Sequence, residues 1–434
     1  MREMKDSGIE WIGEIPTDWE MIPIKYLASY NDETLSENTT PDFEFDYIEI
    51  GSVEYGKGIT AKEHLKFSQA PSRARRIVRA NDIIVSTVRT YLRAVAPITS
   101  HEDGQIASTG FIVIRPKNIV SSFLRYAILS ENFICTVEAN STGISYPAIN
   151  ASQVVQIKIP VPSTAEQQCI ANCLDCKCAE IDAVIERTKA TIEEYKKLKQ
   201  SIITEAVTKG IRSNRPMKDS GVAWIGSIPA DWSVSKIKIG VTKVGSGKTP
   251  LGGAESYAEE GVLFLRSQNV YDTGLLLDSP TYITELVDEE MKSTRVYPRD
   301  VLLNITGGSI GRCCIFPEEY IRANVNQHVS IIRVIASVFL PEYMHYYWLS
   351  SLGHTAIDLY QTGGNREGMS ADAIKNSPIP VIPIEEQQEI VAYLDKKCAE
   401  MDTLIARKTA LWAELESYKK SVIYEYVTGK KEVG

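Results

Sequence analysis

The stretch MKDSGIEWIGEIPTDW, residues 4 to 19, is written a second time as MKDSGVAWIGSIPADW at residues 217 to 232, with twelve of sixteen positions identical. Both tryptophans recur, Trp11 as Trp224 and Trp19 as Trp232. A longer match follows each copy. Residues 166 to 208, EQQCIANCLDCKCAEIDAVIERTKATIEEYKKLKQSIITEAVT, align without a gap on 386 to 428, EQQEIVAYLDKKCAEMDTLIARKTALWAELESYKKSVIYEYVT, with 21 of 43 positions identical. The offset is 213 at the first match and 220 at the second, so the second unit holds seven more residues between its shared ends. The chain is two like units in tandem, and its 434 residues suit domains of ~100 to 200 residues.

In the shared tails, apolar residues fall at Ile170, Leu174, Ile181, Ile185, Ile192, Tyr195, Ile202 and Ala206, and their partners 220 residues on are Ile390, Leu394, Met401, Ile405, Trp412, Leu415, Val422 and Tyr426. Steps of three, four and seven keep one stripe of a helix on one side, which is the seam of a coiled coil and not the alternation of a strand. Each tail therefore reads as one helix of ~65 Å, too long to bury a narrow stripe alone, and the matched seams predict antiparallel pairing. Ser163 and Glu166 offer a capping box to the first helix, whereas the second begins at Pro383 without one.

Between the shared ends, DYIEIGSV, DIIVSTV and GFIVIRP in the first unit and GVLFLRS, DVLLNIT and HVSIIRV in the second read as strands. FLRYAILS and YMHYYWLS read as short core helices, and KGIRSNRP, residues 209 to 216, as a turn. The expected fold class is mixed α/β (α+β): two similar globular lobes, at 1–160 and 211–380, separated by two long antiparallel helices, at 161–210 and 381–434, with a pseudo-two-fold internal repeat.

Composition narrows the function classes. The opening MREMKDSGIE lacks the apolar run of a signal peptide and no window reaches the ~18 apolar residues of a membrane span, so a cytoplasmic protein without membrane attachment is expected. Eight cysteines crowded unevenly in a long chain are unlike a disulfide framework, and reduced thiols are expected. Cys169, Cys173 and Cys176 have the C-x3-C-x2-C spacing of radical S-adenosylmethionine enzymes. They fall inside the expected helix, however, and the second copy has Glu389, Tyr393 and Lys396 instead. KVGSGKTP resembles a phosphate-binding loop but has Thr242 where the first glycine belongs. No methyltransferase or nuclease motif and no ligand-spaced histidine pair occurs. No catalytic residue and no metal site is assigned.

Binding residues are better represented. Residues 66 to 93 carry Lys66, Arg73, Arg75, Arg76, Arg79, Arg89 and Arg93 against Asp82 alone, a local +6 in a chain whose formal charge is -9. Such a strip suits a phosphate backbone, and arginine also pairs with guanine; Tyr91 lies within it. The second lobe offers Lys248, Gln268, Asn269, Asn304, Thr306, Arg312, Asn326, Gln327, His328, Asn365 and Arg366, mostly uncharged hydrogen-bonders beside glycines. Asn and Gln pair with adenine in the major groove. Two lobes with like ends and unlike polar residues suggest two readers of different things.

With WIGEIPTDW and WIGSIPADW opening the units, IPVPSTAEQQ and IPVIPIEEQQ entering the helices, and GSGKTP in the second lobe, the chain resembles, over its whole length, the specificity subunits of type I restriction-modification systems. The resemblance implies two target-recognition domains, each reading one half of a split double-stranded DNA sequence. It implies paired helices that dock two modification (methyltransferase) subunits, with restriction (translocase) subunits completing the complex. S-adenosylmethionine, ATP and Mg²⁺ then belong to those partners, and this chain needs no cofactor and is no enzyme by itself. Two readings from other classes are an iron-sulfur enzyme built on the three cysteines and a two-lobed scaffold that binds only protein.

Overall fold

The computed structural model describes residues 2–10, 12–360 and 368–433. Contacts divide the chain into two compact units, residues 1–189 with 410–434 and residues 190–409. The divisions fall inside both long helices, so each unit holds one lobe and a part of each helix.

In the first unit a four-stranded antiparallel sheet has the order Val95–Pro97, Ile83–Ser86, Phe111–Pro116, Ala28–Tyr30. A second sheet runs Glu63–Lys66, Glu44–Ile48, Ile106–Ser108, Ala74–Ile77, with its middle pair parallel. Successive side chains of a strand point to opposite faces. Ile83, Val85, Ile112 and Ile114 accordingly join one core with the helices Ser121–Leu129 and Glu131–Ala139, while Ile84, Phe111 and Val113 join another with Ile48, Val53 and Ala96. A sheet covered on both faces explains why DIIVSTV and GFIVIRP are apolar runs without alternation.

The second unit repeats this topology although its middle sequence has diverged. One sheet runs Cys313–Ile315, Val301–Asn304, Val329–Val334, Val241–Ser246. The other runs Tyr257–Ala258, Tyr282–Ile283, Val262–Leu265, Ala323–Val325, Arg295–Val296, again with one parallel pair. Val301, Leu303 and Ile332 face the core shared with the helix Pro341–Leu349, and Leu302, Val329 and Ile331 face the other side.

The long helices span Thr164–Lys209 and Ile384–Val427. Within the first unit, Ile170 and Leu174 pack with Val422, Ile423, Tyr426 and Val427; within the second, Ile390 and Leu394 pack with Ile203, Ala206 and Val207. Start of one helix against end of the other makes the pairing antiparallel. An ion pair repeats it: Lys419 to Asp182 at 2.7 Å, and Lys199 to Asp402 at 2.7 Å. Ile181, Ile185 and Ile192 are buried as well, whereas Tyr195, Ile202, Met401, Ile405, Trp412 and Leu415 are half-buried. Near the helix ends the buried face widens to Ile203, Val207, Ile423 and Val427, because the lobe covers it too.

The repeated motifs at the unit boundaries form a clamp. The Trp19 indole donates to Glu166 at 3.1 Å, and Arg2 bridges Glu166 and Asp18. Its counterpart is the Trp232 indole on Glu386 at 3.0 Å, with Arg215 bridging Glu386 and Asp231. The next glutamine anchors a short helix of the lobe: Gln167 accepts from the Val120 amide at 2.9 Å and Gln387 from Leu340 at 2.8 Å. The expected capping box is half right. Ser163 accepts from the Glu166 amide, but the Glu166 carboxylate turns to Trp19 and Arg2. That explains why the glutamate recurs where the serine does not.

Candidate nucleic-acid interface

The first lobe gathers four loops at the C-terminal end of the strand Ile83–Ser86. The Thr87 amide and hydroxyl donate to the Gly110 carbonyl at 2.8 and 2.9 Å, and the Ile149 amide donates to Thr87 at 2.9 Å. Val88 bridges Ala148, and the Thr109 amide reaches the Arg73 carbonyl at 2.7 Å. Gly110 is required by close approach, since a Cβ there would lie 2.6 Å from Ile50 and 3.0 Å from Val88. Arg73, Arg89, Tyr91, Ile144 and Tyr146 stand exposed on the surface so formed. The Arg89 guanidinium sits 5.2 Å from the Tyr146 ring centroid, from a left-handed backbone (φ 52°) that side chains other than Gly and Asn seldom adopt.

The basic strip itself does not stay together. Arg75 lies over the Phe67 ring, and Arg76 is half-buried against Thr34, its guanidinium pKa lowered by that burial. Arg79 pairs with Glu33, which also takes Arg115, and those two guanidiniums hold the Glu33 carboxyl down at about 2. Arg93 is tied to Glu131 and Glu138 of the helix Glu131–Ala139. Arg79 and Arg93 are thus ion-paired within the lobe, Arg79 with its side chain still exposed, because acidic residues distant in sequence come to meet them.

The second lobe builds the same end from other residues. The Ile305 amide donates to the His328 carbonyl at 3.0 Å, Asn326 to Leu265 at 3.0 Å, and Thr306 bridges Gly368. GSGKTP is no phosphate loop but a lining of this turn: Gly247 donates to Val329 and Lys248 to Val325, and a Cβ on Gly247 would lie 1.8 Å from the Val325 oxygen. The Lys248 ammonium donates to the Glu290 carbonyl at 3.2 Å. A side-chain chain then runs from the Thr249 hydroxyl to the Gln327 oxygen, from the Gln327 amide to His328 Nε2 at 3.0 Å, and from His328 Nδ1 to Thr306 at 2.6 Å. The directions require the Nδ1–H tautomer and leave the Thr306 proton to donate elsewhere. Gln268 and Gln327 are exposed beside it.

Two expected readers are withdrawn. Asn269 is buried, accepting from the Arg266 amide and donating to the Leu276 carbonyl, and Asn304 is fully buried with its amide on the Ser267 carbonyl. Both hold the loop that carries Gln268. Asn326 caps the His328 amide and Arg312 lies 4.5 Å over the Tyr271 ring. Asn365 and Arg366 lie outside the described residues. Ile144 and Tyr146 were missed in the sequence; the signal was Thr142-Gly143 in STGISYP beside Thr362-Gly363 in QTGGNRE.

The eight cysteines are free thiols. Cys169 and Cys176 lie two helical turns apart on one helix, ~10 Å along its axis. The recurring pair, Cys178 and Cys398, is buried in the helix seams. Among the described residues no group of three or more His, Cys, Asp or Glu is placed to hold a metal ion, and no helix is long and apolar enough to cross a membrane.

A lobe used twice, with the same loop end dressed in different side chains and clamped to paired helices, is the build of a recognition subunit. The chain belongs to the family described as the type I restriction modification DNA specificity domain, which matches residues 16–194 and 229–411, and it is a non-catalytic specificity subunit. It is 24% identical to a putative type I restriction enzyme specificity subunit, MjaX, of Methanocaldococcus jannaschii, over 97% of this chain and 96% of that protein. To the EcoKI specificity subunit of Escherichia coli K12 it is 22% identical over 96% and 90%. Among solved structures, a chain from work on complex assembly and conformational transition of the type I system superposes with a TM-score of 0.75 at 22% identity, over 96% of this chain and 99% of that one. The HsdS subunit from Thermoanaerobacter tengcongensis gives 0.50 at 23% identity, over 96% and 98%.

Proposed function

We propose that this chain reads a bipartite, gapped DNA target and directs adenine methylation or cleavage by its partners. Residues 1–160 and 211–380 act as the two target-recognition domains, and 161–210 and 381–434 as spacer and docking helices. Two modification subunits supply S-adenosylmethionine chemistry, and restriction subunits supply the ATP- and Mg²⁺-dependent reactions. The observation that carries the reading is the loop end built twice on one topology: Arg73, Arg89 and Tyr91 in one lobe, Lys248, Gln268, Thr306, Gln327 and His328 in the other. Same frame with different donors is what two half-sites of different sequence require. Methylation profiling of host DNA with and without the gene tests it: a gapped adenine motif should vanish with the gene. A scaffold that binds only protein would leave the methylome intact and give no salt-dependent binding to any DNA.

A further inference from the structure

The first lobe's loop end carries more apolar surface than binding to phosphate needs. The hairpin at residues 140–149 is closed by reciprocal backbone bonds between Thr142 and Ala148, both 2.9 Å, and pinned to the neighbouring loop by the Val88–Ala148 bridge. Gly143 makes its turn with φ 114°, where a Cβ would lie 3.1 Å from the Tyr146 carbonyl. The turn leaves Ile144 fully exposed, with Tyr146 at 67% and Val88 at 37% exposure nearby. An exposed isoleucine alone means little, but here it shares one loop end with two further exposed apolar side chains and a basic group. Arg89, over Tyr146, supplies that group. Among the described residues, the corresponding loop end of the second lobe carries the hydrogen-bonding chain Thr249–Gln327–His328–Thr306. The two ends differ in chemistry as well as in sequence.

We propose that Ile144, at the tip of the hairpin that also carries Tyr146, is a specificity determinant that recognises a thymine by its 5-methyl group in the major groove, while Arg89 faces the adjoining phosphate. The inference rests on the proposed function. If adenine is the methylated base, the target holds at least one A·T pair and so at least one thymine methyl. Apolar side chains are the means by which proteins contact that methyl. The base pair itself is left to other side chains; Ile144 distinguishes thymine from cytosine and uracil at one position.

The test uses the complex of this chain with its modification subunits and duplexes of the target found by methylation profiling, with each thymine replaced singly by deoxyuridine. That change removes the methyl and no hydrogen-bonding group. At one thymine of one half-site, deoxyuridine should weaken binding about fourfold, the worth of one apolar carbon moved back into water. Ile144→Ala should bind the parent duplex about that much more weakly and make thymine and deoxyuridine equivalent there, while Ile144→Val keeps part of the difference. The other half-site should show no effect that depends on residue 144. Ile144 being fully exposed, all three proteins should unfold at the same temperature. Sequence-specific binding in which no thymine-to-deoxyuridine penalty depends on residue 144 overturns the proposal and leaves the function standing. Loss of specific DNA binding by the parent complex overturns both.

Discussion

Arginine in a run of basic residues can face a phosphate or a carboxylate, and the partners here separate the two uses. Arg73 and Arg89 stand exposed on the loop end, the first sharing only an open pair with Glu49. Arg79 and Arg93 are held by Glu33 and by Glu131 with Glu138. Binding measured across a salt series should therefore lose about one unit of slope in Arg89→Ala, and likewise in Arg73→Ala, if each meets a phosphate. Arg79→Ala and Arg93→Ala should keep the slope and lower the melting temperature; slopes unchanged from the parent in all four would remove the strip from the interface. Glu33 gives the pH test. Its folded pKa of about 2 lies below the ordinary 4.5, so its ion pairs add stability above pH 4.5 and lose it as pH falls from 4.5 toward 2. The stability advantage of the parent over Glu33→Gln should shrink through that window, and an advantage constant down to the lower limit would show the pairs to be inert. None of these partnerships was legible in the sequence, since Glu33 and Arg79 are 46 residues apart.

At the scale of elements the helix period was readable and the jobs of the flanking motifs were not. Trp19 and Trp232 recur because each indole must find an acceptor when buried, and the acceptor is the glutamate that opens the long helix of its own unit. The two clamps differ in burial: the Glu386 side chain is 4% exposed and Glu166 26%. Removing one member of a buried charged pair strands the other, at ~3 kcal/mol or more. Glu386→Ala should accordingly cost ~3 kcal/mol in denaturant unfolding, and Glu166→Ala, whose partners reach water, clearly less. Equal losses would mean that the clamp contributes by packing alone. In the same way Gly247 lies in a glycine-rich stretch of the sequence and Gly110 opens one that reads as a strand, yet both are fixed by the backbone and side chains pressed against them.

For the whole molecule the repeat makes a sharper expectation. Residues 1 to about 213 contain the first lobe and a complete first helix. Ile170 and Leu174 of that helix pack in this chain against Ile423 and Val427, whose counterparts 220 residues earlier are Ile203 and Val207. The half chain thus carries both sides of the seam, and two copies can cover each other across a two-fold axis. Sedimentation should show a dimer, and with the modification subunits it should methylate an inverted repeat of one half-site. A stable monomer at micromolar concentration would contradict the pairing. By itself the sequence determined the duplication, the two long helices and their seam, and the buried strands, because period and hydrophobicity are local properties that each residue carries with it. Only the tertiary structure decided which arginines face outward, that Asn269 and Asn304 are braces, and that Ile144 and Tyr146 share a surface with Arg89, because a side chain's role depends on neighbours that the fold brings from tens of residues away.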